Sequence, residues 1–153
     1  MQTIAELIAA SRAFAGLERR HLDLIAGCGA NTHFAAGEYL CRTGDPADRF
    51  YLIRRGSVTL DLIAGGRQLT IETLHEDEIA GFSWLFEPYR WMFDARAVAD
   101  TSVVAFDAVC LRGKCDADHE LGYQLMRRMT ALAVTRLQAT RLQLLDVYAA
   151  PAR

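Results

Sequence analysis

The chain has too few cysteines for a covalent scaffold. Four of them (Cys28, Cys41, Cys110 and Cys115) are spread over 153 residues, whereas disulfide-built domains carry them far more densely. Reduced thiols are therefore expected. No apolar run approaches the roughly 20 residues that a membrane-spanning helix needs. The N-terminus lacks the basic start and unbroken apolar stretch of a signal peptide, because Glu6 and Arg12 interrupt an amphipathic pattern. These absences predict a cytoplasmic protein without membrane contact. Basic excess is missing as well: the net charge is −2, which argues against a nucleic-acid footprint covering the domain. There is no Gly-rich phosphate loop and no metalloprotease signature. Ser83, between Phe82 and Trp84, lacks the flanking glycines of a nucleophile elbow. No catalytic constellation remains, so the chain is not expected to be an enzyme.

What is present suits one ordinary domain. Hydrophobic residues make up 52% of the chain, ample for a core, and the charged fraction gives no reason to expect disorder. Thr3 and Glu6 have the spacing of a capping box, with Ile4, Leu7, Ile8 and Phe14 on one helical face. Residues 17–26 form a second helical candidate, stopped by Gly27 and Gly29.

From Asn31 the texture changes. Short apolar stretches alternate with turn residues at Ala36-Gly37, Thr43-Gly44-Asp45-Pro46, Arg55-Gly56-Ser57 and Ala64-Gly65-Gly66, the cadence of an antiparallel roll or barrel. Residues 50–53, 58–63, 68–74, 93–98 and 102–106 are the clearest strand candidates, with Gly65-Gly66 as a tight hairpin. After Gly113 the pattern becomes helical. Asp116 or Asp118 can cap a run that holds no Gly after Gly122 and no Pro before Pro151. Met126, Met129, Ala133, Leu137, Thr140 and Leu144 share one stripe, with Leu121, Leu125 and Leu132 beside it. Such a helix is expected to bury one face on the roll and offer another to a partner.

The segment Thr43-Gly44-Asp45-Pro46-Ala47-Asp48-Arg49-Phe50-Tyr51-Leu52-Ile53-Arg54-Arg55-Gly56-Ser57-Val58 resembles the early roll of the cyclic-nucleotide-binding domain in the catabolite-activator and fumarate–nitrate-regulator family. Gly37, the Gly65-Gly66 hairpin, residues 97–107 and the long helix match that family in order, so the resemblance covers nearly the whole chain. It implies an α+β, mainly β fold: a double-stranded β-helix (jelly roll) over residues 30–110, short helices over 1–29 and one long helix over 116–148, as a single domain.

In that family a cassette after the sixth strand binds the cyclic phosphate. It comprises a Gly-Glu pair, a short helix, and Arg followed by Ser or Thr. A helix N-terminus suits an anion, and a guanidinium fork suits phosphate oxygens. Here Ala80-Gly81, or Gly81-Phe82 one residue on, falls at the Gly-Glu pair, and neither supplies the Glu. Trp91 falls at the Arg, with Arg90 one residue early, and Met92 at the Ser or Thr. Trp84 and Trp91 stand in one short stretch with Phe82, Phe86, Tyr89 and Phe93. The stretch reads either as a remodelled, more apolar pocket or as aromatics that fill the nucleotide's space. Gly81, Phe82, Ser83, Trp84, Arg90 and Trp91 are the candidate ligand residues, with Arg96 a weaker one as a strand residue.

Other constellations compete with plainer readings. Cys110, Cys115 and His119 offer three of the four ligands of a structural zinc site. Cys110 and Cys115 also form a candidate redox pair, since Cys115 would lie near a helix start and beside Lys114, both of which lower a thiol pKa. Their plain reading is two small residues at the junction of roll and helix. Some members of the resembled family hold haem, for which His21, His33, His75, His119 and the methionine stripe would be the ligands; lone histidines and helically spaced methionines are more often ordinary core or surface. A metal enzyme on a similar roll needs clustered inward histidines and carboxylates, whereas His75 stands alone. Arg127, Arg128, Arg136 and Arg141 read as a solvated basic face. A helix-turn-helix would need further helices beyond the long one, so no direct DNA binding is expected. The expectation is a stand-alone sensory module, homodimeric through the long helix, signalling to a protein partner. Its rival is a ligand-free scaffold domain. The effector, cyclic nucleotide, haem or other, is left open.

Overall fold

The computed structural model describes residues 1–149; Pro151, which bounds the helical run in the sequence, lies outside them. Two short helices open the chain, α1 (Ile4–Ala9) and α2 (Arg19–Ala26). The expected capping box forms at α1: Glu6 N donates to Thr3 Oγ1, and Thr3 N donates to the Glu6 carboxylate. Gly27 ends α2.

Eight strands follow: β1 (Gly29–Phe34), β2 (Tyr39–Cys41), β3 (Arg49–Arg55), β4 (Val58–Ala64), β5 (Arg67–Leu74), β6 (Ile79–Ala80), β7 (Asp94–Ala97) and β8 (Thr101–Asp107). They form two antiparallel four-stranded sheets ordered β1-β8-β3-β6 and β2-β7-β4-β5. Gly65 and Gly66, at φ 58° and 76°, turn the chain between Ala64 and Arg67, which pair directly. The fold is the mainly β, α+β roll expected, with short N-terminal helices and a long C-terminal one.

Between the roll and the long helix stands an element that the sequence reading did not separate. A separate helix, α3 (Ala108–Ala117), intervenes, capped by Asp107, whose carboxylate accepts from Cys110 N. Asp118, not Asp116, then caps α4 (His119–Ala149) by accepting from Leu121 N. Among the described residues no helix is long and apolar enough to cross a membrane.

The thiols also differ from expectation. Cys28 and Cys110 form a disulfide, with Cα atoms 6.0 Å apart, while Cys41 and Cys115 are free. Cysteine spacing along the chain could not reveal this, because β1 and β8 pair side by side and bring residues 28 and 110 together at one sheet end. The bridge ties the start of β1 to the first turn of α3 and restricts the unfolded chain across 82 positions. It also takes the Cys110 sulfur out of the zinc set with Cys115 and His119, and out of a redox pair with Cys115.

A tight crossing joins β3 to β4 at Gly56, whose φ is +100°. A Cβ there would stand 2.5 Å from Thr101 Oγ1 and 2.6 Å from the Asp100 carbonyl oxygen. Gly56→Ala combines a left-handed backbone with a clash against main chain. It should destabilise the fold by at least about 1–2 kcal/mol. The check is a lower thermal midpoint by circular dichroism.

Candidate functional site

The site grows from the segment between β6 and β7. Gly81 leaves β6 with φ +104° and turns the chain into a single 3₁₀ turn over Ser83–Leu85. A side chain is excluded there. A Cβ on Gly81 would lie 2.2 Å from Trp91 Cη2, so the indole occupies the space directly against the glycine. Trp91 is 3% exposed. It also packs on Tyr51 and Phe93, with ring centroids 6.5 and 5.6 Å away. Burial pushes the Tyr51 phenol up to about 12; it stays protonated and donates to the Leu40 carbonyl at 3.1 Å.

The orientation of Arg90 follows from the pairing of its neighbours. Ala47 N donates to the Tyr89 carbonyl, Trp91 N to that of Asp45, and Gly44 N to that of Trp91. Residues 90 and 91 are thereby held extended against the β2–β3 turn. Successive side chains of an extended segment point to opposite sides, and here Trp91 takes the inner one. Arg90 is exposed, its Nη1 donating to the Gly44 carbonyl at 3.2 Å.

The single aromatic cluster suggested by the sequence is two clusters in space. Trp84 stacks on Phe50 at 4.3 Å, and Phe50 on Phe106 at 4.7 Å. Trp91 packs on Tyr51. Phe50 and Tyr51 are adjacent in β3 and so face opposite sides of the sheet. Trp84 belongs to the layer beneath the helices, Trp91 to the roll interior. Ser83 is buried with Trp84, while Phe82 is only partly buried.

Arg136 is the residue that the sequence reading misplaced. It is not on a solvated face of α4. Its side chain is 18% exposed and lies 3.8 Å from Glu72 Oε1, 5.0 Å from the Phe82 ring centroid, and donates to the Ile79 carbonyl. Burial lowers the Arg136 pKa, opposed by Glu72 and Glu78. Burial raises that of Glu72, opposed by Arg136. Arg128 likewise donates inward, to the Ala15 carbonyl. A signal did exist: Arg136 stands seven residues after the buried Met129 and so on the same helical face. Between the roll and α4 a cleft of about 240 Å³ remains, lined by Leu60, Gly81, Phe82, Phe93 and Arg136 among others.

Two other candidates take different places. Arg96, on β7, lies 3.7 Å from the buried Asp61, which also accepts from Thr70 Oγ1 at 2.7 Å. Cys115 lies in the last turns of α3, not at a helix start. Burial raises its pKa, and Asp116 and Asp118 add to that, while the Lys114 ammonium donates to the Leu24 carbonyl at 2.7 Å. These surroundings disfavour the thiolate, opposite to the lowering expected from a helix start and Lys114.

The family model of the cyclic nucleotide-binding domain matches residues 31–118. None of the curated proteins matches the chain. Among solved structures it is similar to a protein of Geobacter metallireducens assigned as cyclic nucleotide-binding, with 27% identity and a TM-score of 0.79 over 90% of this chain and 99% of that one. It is also similar to the N-terminal domain of a transcriptional regulator from Streptomyces coelicolor (22% identity, TM-score 0.68, 90% and 94% covered). A third likeness is to the catabolite activator protein of Thermus thermophilus (24% identity, TM-score 0.70, 89% and 62% covered). The last two likenesses concern the fold alone.

The packing of Trp91 on Gly81 can be tested by a double-mutant cycle. Gly81→Ala should cost more than about 2 kcal/mol, through the clash and the strained backbone. In a Trp91→Leu background the same change should cost about 1 kcal/mol less or better, since contacting residues couple by roughly 0.5–3 kcal/mol. Urea denaturation of the four proteins reads the coupling.

Proposed function

The chain belongs to the cyclic nucleotide-binding domain family, and on that premise we propose that it is a regulatory domain whose own roll is closed to a cyclic nucleotide. The supporting observation is the Trp91 indole seated against Gly81. A cyclic phosphate needs N–H donors and a guanidinium inside the roll. On the inner side of residues 90 and 91 there is an apolar ring instead, and burying a phosphate against it without hydrogen bonds is costly. Arg90 is held outside by the pairing that points Trp91 in. Arg136 and Phe82 narrow the opening from the helix side, leaving about 240 Å³, less than the roughly 300–1,000 Å³ of small-molecule sites.

Gly81, Phe82, Ser83, Trp84, Arg90 and Trp91 thus serve as packing and positioning residues, and α4 carries the state of the roll outward through Arg136. Titration calorimetry with cyclic AMP and cyclic GMP should give no saturable binding up to millimolar ligand. Micromolar binding that disappears in Arg90→Ala would overturn the reading.

The output surface is the outer part of α4, and its occupant is a second copy of the chain. The helix has 31 residues, about 46 Å of length. Its buried positions, Leu121, Leu125 and Met129, all lie in the first half. Leu137, Leu142, Leu144, Leu145, Val147 and Tyr148 are exposed, as are Ile63, Leu69 and Ile71 of the β4–β5 hairpin. Residues 137–149 alone are no longer than the ~12–15 residues at which isolated helices are marginal in water. A self-complementary two-fold seam stabilises such a stretch and covers its apolar face. Sedimentation should give a dimer for the wild type and a monomer for Leu137→Asp/Leu144→Asp. A wild-type monomer at high micromolar concentration would exclude the seam.

A further inference from the structure

A second cleft lies outside the roll, among the 3₁₀ turn, α3 and the start of α4. It measures about 430 Å³ and is lined mainly by apolar groups, with Trp84, Leu85, Leu125 and Met126 among them. This volume falls within the range of small-molecule sites. One polar group at its wall is incompletely used. Arg112, half-buried, stacks over the Tyr89 ring at 4.1 Å from the centroid. Its Nη1 donates to the carbonyls of Trp84 at 2.9 Å and Ala47 at 3.3 Å. Among the described residues it makes no ion pair.

A half-buried cation without a counter-charge is costly in an empty cleft. That cost falls if an anion with acceptor oxygens binds there. The apolar walls require the rest of that molecule to be apolar. A guanidinium forks onto carboxylate and phosphate alike, but one cation balances the single charge of a carboxylate and leaves a phosphate dianion half unneutralised among apolar walls. Asp116 also lines the cleft, but it is exposed, where water and salt screen its repulsion.

We infer that this cleft is an effector site for a small carboxylate with an aromatic or branched apolar body, its charge held by Arg112 and its body by the apolar wall that includes Trp84. The site is separate from the roll interior and does not depend on the roll being closed. Because Arg112 also grips the Trp84 carbonyl, an anion on its free edge acts on the 3₁₀ turn. That turn adjoins Phe82, over which Arg136 of α4 lies. Binding at α3 can therefore bias the helix that the roll holds.

The test uses an isosteric pair, 2-naphthoate and 2-naphthamide, titrated calorimetrically into the full chain. The carboxylate should fill one site per chain and bind about 10-fold more tightly than the amide or better, the value of a hydrogen bond to a charged group. Arg112→Gln should abolish that preference. His119→Trp, at an exposed position on the cleft wall, should block both probes. Circular dichroism establishes that the variants fold; should Arg112→Gln not fold, His119→Trp decides. Equal affinity of the two probes, no saturable binding, a preference surviving in Arg112→Gln, or unchanged binding in His119→Trp would each overturn the inference. Cyclic AMP binding in the roll would leave it intact.

Discussion

Strand β3 is buried on both faces, and the rest of the molecule is arranged around that condition. Phe50, Tyr51, Leu52 and Ile53 are all buried, in a strand that pairs with β8 on one side and β6 on the other. A strand covered on both faces reads as a continuous apolar run. Its alternation then sorts the neighbouring aromatics into two sets. Phe50 takes Trp84 and Phe106 into the layer beneath the helices, while Tyr51 takes Trp91 into the roll.

The helix α4 is coupled to this arrangement by guanidinium groups as well as by its apolar stripe. Only Leu121, Leu125 and Met129 of α4 are buried. Arg128 and Arg136 reach past that stripe to main-chain carbonyls of residues 15 and 79. Long cationic side chains cover apolar surface with their stems while their heads bond elsewhere, and a planar guanidinium can serve a carbonyl, a carboxylate and a ring together. Arg136 does so with Ile79, Glu72 and Phe82.

Local chemistry was legible wherever it acts within a few residues. The capping box at Thr3 and Glu6, the Gly65-Gly66 hairpin, the order of the strands and the long final helix all follow from short-range spacing and period. The α3–α4 break was less so, since Asp116 and Asp118 are both competent caps and the choice depends on how α3 packs. The candidate site was legible as a stretch, residues 81–91, but not as a geometry. That Arg90 faces out depends on backbone pairing with residues 44–47, some 45 positions earlier.

The amino-acid order alone settled the two N-terminal helices, five of the strands and the long final helix to within a few residues, and the unusual chemistry of the segment after β6. Those properties come from periodicity, turn residues and caps, whose energies arise between near neighbours. The division of the two tryptophans, the inward turn of Arg136, the Cys28–Cys110 bridge and the unneutralised Arg112 were decided only by the assembled sheets and helices. Each joins residues many positions apart, and whether a side chain is paired, buried or orphaned depends on the surfaces that close over it.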